Sequence, residues 1–326
     1  MPFGRFRDTL QTCFDVLMFP LHGASPQAPT VPFSEALWSS WSDLELLPAI
    51  AILAGAAWYL LSVRALRRRG DAWPVGRTVS FIVGGLGTVA LATEGPIAAY
   101  DTTLISVHMV QHMLLSMIAP IFFALGAPVT LALRTFVKPL HRALMWLLHS
   151  TYMKVLAFPI VSGAIAVANP WGLYFTKFYD LTLRNVWWHD FNHFHFVVVG
   201  CVWTFALIGI DPMPRVGYPM RMLAVFMTMP FHAFLGLTIM GQQTLIAGDW
   251  YLAQGRAWGM SPAADQQLAG GILWAAGEVV SILIFIALMV QWARASDREA
   301  KRVDRQLDRE DAARAAALAA TARDEA

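Results

Sequence analysis

Seven long apolar segments recur along the chain, and each is long enough to cross a lipid bilayer as a helix. We place them at 44–64, 78–98, 103–124, 151–169, 188–210, 221–243 and 268–292. A hydrocarbon core about 30 Å thick requires roughly 20 apolar residues, since a helix rises about 1.5 Å per residue. Charged residues make up only 14% of the 326 residues, whereas soluble domains contain about 25%. The sequence therefore predicts an all-α integral membrane protein, a bundle of seven transmembrane helices.

Basic residues are unevenly distributed among the segments that connect the apolar blocks. They concentrate after the first, third, fifth and seventh blocks, as in the run of arginines from Arg64 to Arg77. The alternate segments carry only Lys177, Arg184 and Arg256. Cytoplasmic loops of membrane proteins carry an excess of Lys and Arg. This pattern predicts an N-terminus outside the cytoplasm and a C-terminus inside it.

The two ends of the chain differ in composition from the apolar blocks. Residues 1–43 include a short apolar stretch that is interrupted by Asp15 and followed by several prolines. An interfacial amphipathic segment and a weak signal peptide are both compatible with this stretch, and the absence of a clear cleavage site favours the interfacial segment. Residues 44–293 form the predicted transmembrane domain. Residues 294–326 alternate charged residues with alanine, which predicts a solvated cytoplasmic helix.

Two pairs of histidines lie in the predicted spans, and each pair has a spacing of four residues. The first pair is His108 and His112, and the second is His189 and His193. This spacing places both imidazoles of a pair on one face of a helix, where two histidines can bind one metal ion. Ionisable side chains at membrane depth are costly, and they commonly mark a functional site.

The predicted topology places both histidine pairs at a similar depth near the outer leaflet, because both of their spans run from outside to inside. His232 lies near the middle of the sixth span, and Met229 shares its helix face. Imidazole suits copper, zinc and iron, while a thioether favours Cu(I). Met109 and Met113 each follow a histidine by one residue and are expected to point about 100° away from it.

Other interpretations of these histidines remain open. A single intramembrane histidine often forms a hydrogen bond across a helix interface without binding a metal. The same residues also suit a proton relay. Two pairs at matched depth favour metal binding over both of these interpretations.

Four acidic residues lie on the same predicted side of the membrane as the histidines, namely Glu94, Asp101, Asp190 and Asp265. Such carboxylates could orient metal-binding imidazoles by accepting a hydrogen bond from the ring nitrogen that does not bind the metal. Asp101 and Asp265 also occupy positions where helix N-caps are expected. Glu278 lies inside the seventh span, and the sequence does not identify its partner.

Five segments together resemble a known family. They are 108–115, Pro120 with 125–128, 189–193 continuing to Gly200, 230–236, and 265–274. Over roughly 35–293 the chain is similar to the seven-span, CtaG-type cytochrome c oxidase assembly factors of bacterial membranes. The resemblance implies a role in the maturation of a haem–copper oxidase by copper delivery. It also implies five candidate metal positions: His108, His112, His189, His193 and His232.

These observations together predict a non-enzymatic metallochaperone in the bacterial inner membrane. We expect Cu(I) to enter from the periplasmic side, bind among the histidines and pass to an oxidase subunit. Periplasmic copper chaperones and the lipid bilayer are further expected partners, and no nucleic acid is expected. A haem b electron carrier with two axial histidines is the main alternative. A copper or proton transporter is less favoured, because few polar groups lie in the cytoplasmic half of the spans.

Overall fold

The computed structural model describes residues 29–39 and 45–324, and all regular elements within those ranges are helices. In chain order they are α1 (Phe33–Ser39), α2 (Leu46–Arg68), α3 (Val75–Tyr100), α4 (Ile105–Gly126), α5 (Pro128–Thr135), α6 (Lys138–His149), α7 (Thr151–Leu156), α8 (Pro159–Tyr174), α9 (Phe178–Arg184), α10 (Val186–Ile208), α11 (Tyr218–Gly241), α12 (Gly248–Ala253) and α13 (Pro262–Asp324). The all-helical class predicted from the apolar segments is therefore confirmed.

Six of these helices, α2, α3, α4, α10, α11 and α13, are long and apolar enough to cross a membrane. Large apolar side chains remain exposed on their outward faces, among them Leu53, Phe226 and Leu283. Contiguous apolar surface of this kind marks a membrane or protein interface. The chain is thus a multi-pass membrane protein. The largest cluster of buried apolar side chains surrounds α4 and includes Ile105, Leu115 and Leu235.

The predicted span at 151–169 differs from the others. Two helices occupy this region, α7 and the 16-residue α8, and extended backbone at Phe158 separates them. Pro159 begins α8, and it breaks the helical hydrogen bonding because proline has no N–H to donate. A helix of 16 residues measures about 24 Å, which is shorter than the roughly 30 Å hydrocarbon core. A seventh crossing and the orientation of the termini therefore stay predictions.

Helix α8 nevertheless packs inside the bundle, antiparallel to α10. Near its start, the Cα of Gly163 faces the ring of Trp203. Further along α8, the side-chain oxygen of Asn169 lies 2.9 Å from Nε2 of His195. Residue numbers increase along α8, from Gly163 to Asn169, while those of their contact partners on α10 decrease, from Trp203 to His195. The two helices are therefore antiparallel. Helix α8 thus returns the chain to the end of the bundle at which α4 and α10 begin.

Three of the long helices, α4, α10 and α13, begin at that same end. The carboxylate of Asp265, in the first turn of α13, accepts hydrogen bonds from the Ile105 N–H at 2.7 Å and from the Ser106 hydroxyl. These bonds satisfy donors in the first turn of α4 that have no partner within their own helix. Asp265 therefore joins the starts of two helices that lie 160 residues apart in sequence.

Helices α4 and α10 approach each other closely at Gly200. A Cβ atom at this position would collide with the carbonyl oxygen of Ser116, and it would lie 2.7 Å from Cγ of Pro120. Only glycine permits this approach. Ser116 lies in a π-helical turn of α4, Leu114–Ile118, a feature that is frequent at functional sites.

The described residues nearest each end of the chain continue the bundle or pack against it. Helix α13 continues without interruption from the apolar segment through the charged residues to Asp324, so the tail prolongs the last membrane helix. Most of the predicted N-terminal interfacial segment lies outside the described residues. Within its described part, α1 packs against the end of α3, where the rings of Phe33 and Tyr100 are 5.4 Å apart.

Candidate metal centre

The two histidine pairs meet between α4 and α10, buried in the interior of the bundle. Within the pairs, the ring centroids are 4.0 Å apart for His108 and His112 and 4.4 Å apart for His189 and His193. Between the helices, His108 lies 6.1 Å from His189, and His112 lies 6.4 Å from His193. Four imidazoles therefore form one cluster at the level of the second turns of two parallel helices.

Asp101 provides a buried carboxylate to this cluster. Its Oδ2 atom lies 2.9 Å from Nε2 of His189 and 3.9 Å from Nε2 of His193. One ligand atom from each of these three residues can be chosen so that all lie within 4.8 Å of one another. Nitrogen and oxygen atoms this close can coordinate a single metal ion.

A break in α3 positions this carboxylate. Glu94 is extended, and Gly95 adopts a φ of +70°, a conformation that favours glycine. A short helix then runs over Pro96–Tyr100, and Asp101 is its C-cap residue. The expectation that Asp101 caps the next helix is wrong, because Leu104 is the N-cap residue of α4 and no side chain caps it from that position.

Two carboxamides connect α4 and α10, and each contacts a histidine on the other helix. The side-chain oxygen of Gln111 lies 2.9 Å from Nε2 of His193, and Nδ2 of Asn192 lies 3.4 Å from Nε2 of His112. Nε2 of Gln111 also donates to Oδ2 of Asp101 at 2.7 Å. Each carboxamide immediately precedes the second histidine of its pair. Sequence reasoning missed both residues, although the shared pattern of histidine, two residues, amide and histidine could have revealed them.

Tyrosines enclose the cluster on another side, and they were also missed from the sequence. The Tyr174 hydroxyl lies 2.9 Å from Nδ1 of His112. The ring of Tyr179 lies 4.9 Å from that of His108, and its hydroxyl is 2.6 Å from the hydroxyl of Tyr251. Burial raises the pKa of Tyr179 and of Tyr251 well above the ordinary range. Both hydroxyls therefore stay neutral at physiological pH.

Several polar atoms of the cluster have no hydrogen-bond partner among the described residues. They are both ring nitrogens of His108, Nδ1 of His189, Nδ1 of His193 and Oδ1 of Asp101. Leaving such buried atoms unpaired costs roughly 1–3 kcal/mol each. An imidazole binds a metal ion through one nitrogen, so coordination would satisfy one such atom in each histidine and the free oxygen of Asp101. Imidazole nitrogens with a carboxylate oxygen form a donor set that fits a metal. His112 differs, because both of its ring nitrogens have partners.

The remaining candidate carboxylates lie further from the imidazoles. Glu94 accepts a hydrogen bond from the backbone N–H of Glu45 at 2.8 Å and thereby binds the start of α2. Asp190 is half-buried and lines a pocket beside His193. Asp265 holds the start of α4, as described above. Of the four acidic candidates, the structure brings only Asp101 into hydrogen-bond contact with a histidine of the cluster.

His232 lies apart from the four clustered histidines. It lines a cavity that also reaches His112, but it belongs to no group of three close ligand atoms among the described residues. Met229 does not line this cavity, whereas Met109 and Met113 do. Met109 and Met113, which are offset by about 100° from the preceding histidines, thus face a cavity that His112 also lines. Because the bundle surrounds α4 on several sides, residues 100° apart on this helix can both face its interior.

The fold and the site define a class: a multi-pass helical membrane protein with a buried histidine–aspartate cluster between two of its helices. Residues 57–295 match the family described as cytochrome c oxidase caa3 assembly factor (Caa3_CtaG). The match covers most of the chain, and the chain belongs to this family. The resemblance found in the sequence motifs is thereby confirmed.

Related proteins occur in mycobacteria. The chain is 40% identical over 293 residues to a protein of Mycobacterium bovis and equally to one of Mycobacterium tuberculosis, and 38% identical over 291 residues to one of Mycobacterium leprae. All three carry the description "uncharacterized protein". The matches include 87% of this chain but only 43% of each relative, so the chain spans less than half of their length. No solved structure matches the chain significantly.

Proposed function

We propose that this chain is a non-enzymatic assembly factor that binds copper in its histidine–aspartate cluster and delivers it to a haem–copper oxidase subunit. Family membership supports the oxidase as partner. The observation that carries the copper site is the set of unpaired donor atoms on His108, His189, His193 and Asp101. Buried polar atoms in proteins are normally paired. Asp101, His189 and His193 place one ligand atom each within 4.8 Å of one another, so one metal ion would supply a partner to all three, with His108 as a neighbouring donor whose ring lies 6.1 Å from that of His189.

The charge of the cluster favours a monovalent ion. Asp101 is the carboxylate within hydrogen-bond reach of the imidazoles, and neutral imidazoles contribute no charge. One Cu(I) with one carboxylate gives a neutral site, whereas a divalent ion would leave an uncompensated charge in a medium of low dielectric constant. Imidazole is a good ligand for copper. The preferred cargo is therefore Cu(I).

The other polar residues position the ligands. Gln111 accepts a hydrogen bond from one nitrogen of His193 and so directs the lone pair of the other nitrogen towards a metal. Asp101 likewise accepts a hydrogen bond from Nε2 of His189, which leaves Nδ1 of that ring free for a metal. Partners of this kind orient the ligand imidazoles of metal sites. His112, which both Tyr174 and Asn192 contact, acts in this proposal as a bridge between α4, α8 and α10.

The distribution of basic residues supports a location in the bacterial inner membrane with the cluster on the periplasmic side. Copper would then arrive from the periplasm, with periplasmic copper chaperones as donors. It would leave laterally through the bundle to a membrane-embedded oxidase subunit. A ligand set that does not fully enclose the ion suits such an exchange.

Metal analysis of the protein purified anaerobically in detergent and loaded with Cu(I) tests the site. The double variant His108→Ala/His193→Ala should lose the copper that the cluster binds. The matched control is His195→Ala. His195 lies on α10, as His193 does, but its Nε2 contacts Asn169 outside the cluster. Equal copper content in the double variant and the control would refute the site. In cells that depend on this chain for oxidase assembly, the double variant should also lower oxidase activity.

The visible absorption spectrum separates copper from the haem b alternative. Histidines on facing helices are also the arrangement of an axial haem pair. Here, however, the carboxamides of Gln111 and Asn192 occupy part of the space between the two helices. A Soret band that shifts on reduction of the purified protein would contradict the copper proposal. Copper-loaded protein with Cu(I) should show no such band.

A further inference from the structure

A cavity leads from the histidine cluster into the middle of the bundle. One wall is formed by α4, which places Met109, Met113 and Met117 on it at intervals of four residues. His232 of α11 lines the same cavity. His112 also lines the cavity, so the cavity begins at the cluster. Its lining contains no Asp, Glu, Lys or Arg among the described residues.

The histidine that α11 contributes to this cavity is available as a ligand. His232 forms no hydrogen bond with any residue in the described part of the chain, although it is a polar side chain at membrane depth. Helix α13 lies tightly against its ring, since a Cβ atom at Gly277 would come within 2.9 Å of Cδ2 of His232. The ring is therefore held in place by packing, while its nitrogens have no described partner.

The methionines connect this histidine to the cluster. The Tyr174 hydroxyl lies 3.6 Å from Sδ of Met109 and 2.9 Å from Nδ1 of His112. Met113 and Met117 continue the same wall across the π-helical turn of α4. Such turns often occur at functional sites, and this one begins directly after Met113 and includes Met117. Three thioethers of one helix thus line the cavity that holds both His112 and His232.

We propose that this cavity is a second metal site, in which thioethers of Met109, Met113 and Met117 and the imidazole of His232 bind Cu(I). Soft thioether ligands select Cu(I) over harder ions such as Zn²⁺. The inference rests on the proposed function, because the first site supplies the ion. The histidine–aspartate cluster receives Cu(I), and the methionine site holds it deeper in the membrane. Transfer between them is a ligand exchange without a change of oxidation state.

The test measures the Cu(I) stoichiometry of the full chain in detergent under anaerobic conditions, by competition with a chromophoric Cu(I) chelator. Wild-type protein should bind two equivalents. The variant Met113→Leu/Met117→Leu, which nearly conserves volume, should bind one equivalent. The matched control is Met227→Leu, whose side chain is 49% exposed on the outer face of α11, and it should bind two. X-ray absorption should show copper–sulfur scattering in the wild type and the control but not in the double variant.

The outcomes separate this inference from the proposed function. If the wild type binds one equivalent, which His108→Ala/His193→Ala removes and the methionine variant leaves unchanged, the second site is refuted and the first stands. If only the methionine variant loses copper, the first site is refuted. Loading with Zn²⁺ is a further check, because the methionine variant should bind as much Zn²⁺ as the wild type. A loss of Zn²⁺ equal to the loss of Cu(I) would contradict a thioether site.

Discussion

The side-chain oxygen of Gln111 accepts a hydrogen bond from Nε2 of His193 across the interface of α4 and α10, at 2.9 Å. The same carboxamide donates to Asp101 at 2.7 Å. Gln111 therefore fixes the tautomer of one imidazole and the position of the carboxylate that faces the other. The neutral side chain of Gln111 on α4 thus positions two members of the proposed ligand set, His193 and Asp101.

Replacing Gln111 should weaken metal binding without removing a ligand. In Gln111→Met, which has a similar volume, His193 loses its acceptor and can rotate. Removing a partner that orients a ligand typically lowers metal affinity about 10–100-fold. Competition with a Cu(I) chelator measures this change. Gln306→Met in the exposed part of α13 is the control, and equal affinities in the two variants would contradict the orienting role.

Asp101→Asn should have a larger effect, because it removes the charge that offsets the bound ion. We expect a loss of Cu(I) affinity of at least about 100-fold, since an unpaired charge in a buried site is costly. The same chelator competition measures the loss. Asp180→Asn removes a carboxylate of an exposed ion pair with Arg184, which contributes little, and it should leave affinity unchanged. Wild-type affinity in Asp101→Asn would exclude the carboxylate from the site.

The stability of the metal-free protein should depend on pH through Glu45, which lies just before α2. Burial, with a smaller contribution from Asp101, raises the pKa of Glu45 from 4.5 to about 8. Between these values the folded protein binds more protons at this residue than the unfolded chain does. Its contribution to stability is therefore full below pH 4.5 and is lost as pH rises through about 8.

Thermal unfolding of the metal-free protein at several pH values checks this dependence. Glu45→Gln cannot ionise, so its unfolding temperature should exceed that of the wild type increasingly as the pH rises towards 8. The difference in free energy is at most on the order of 5 kcal/mol, at about 1.4 kcal/mol per pKa unit. Parallel pH profiles for the two proteins would show that Glu45 keeps its ordinary pKa in the folded state.

Gly200→Ala should separate α4 from α10. The added methyl would collide with the backbone carbonyl of Ser116, and backbone atoms have little freedom to move. Overpacking of this kind costs about 1–3 kcal/mol, and it should lower both the unfolding temperature and the copper content. Gly271→Ala is the matched control, because a Cβ there meets no atom within 4 Å. Similar unfolding temperatures for both variants would refute a tight contact at Gly200.

Fusions of a reporter to the C-terminus test the predicted orientation. The basic residues after alternate apolar segments predict a cytoplasmic C-terminus. A fluorescent protein fused there should fold and fluoresce, whereas alkaline phosphatase, which needs the periplasm, should be inactive. The opposite pattern would place the cluster at the cytoplasmic end and overturn delivery from the periplasm.

The helices and the histidine pairs could be predicted because they follow from local pattern. A long apolar segment must form its backbone hydrogen bonds within itself in lipid, and a spacing of four places two side chains on one helix face. The prediction at 151–169 failed to show the interruption of the helix, although Pro159 is visible in the sequence. Average hydrophobicity over a window does not register a single missing N–H donor.

The sequence by itself determined that this chain is a helical membrane protein with two buried histidine pairs, because hydrophobicity and helical periodicity are local properties. Only the tertiary structure decided which groups meet. The register of α10 against α4, set at Gly200, pairs Gln111 with His193 and Asn192 with His112. The break at Gly95 directs Asp101 to the cluster. The carboxylate of Asp265 instead accepts hydrogen bonds from residues at the start of α4. These contacts join residues 80 or more positions apart, and no spacing along one helix encodes them.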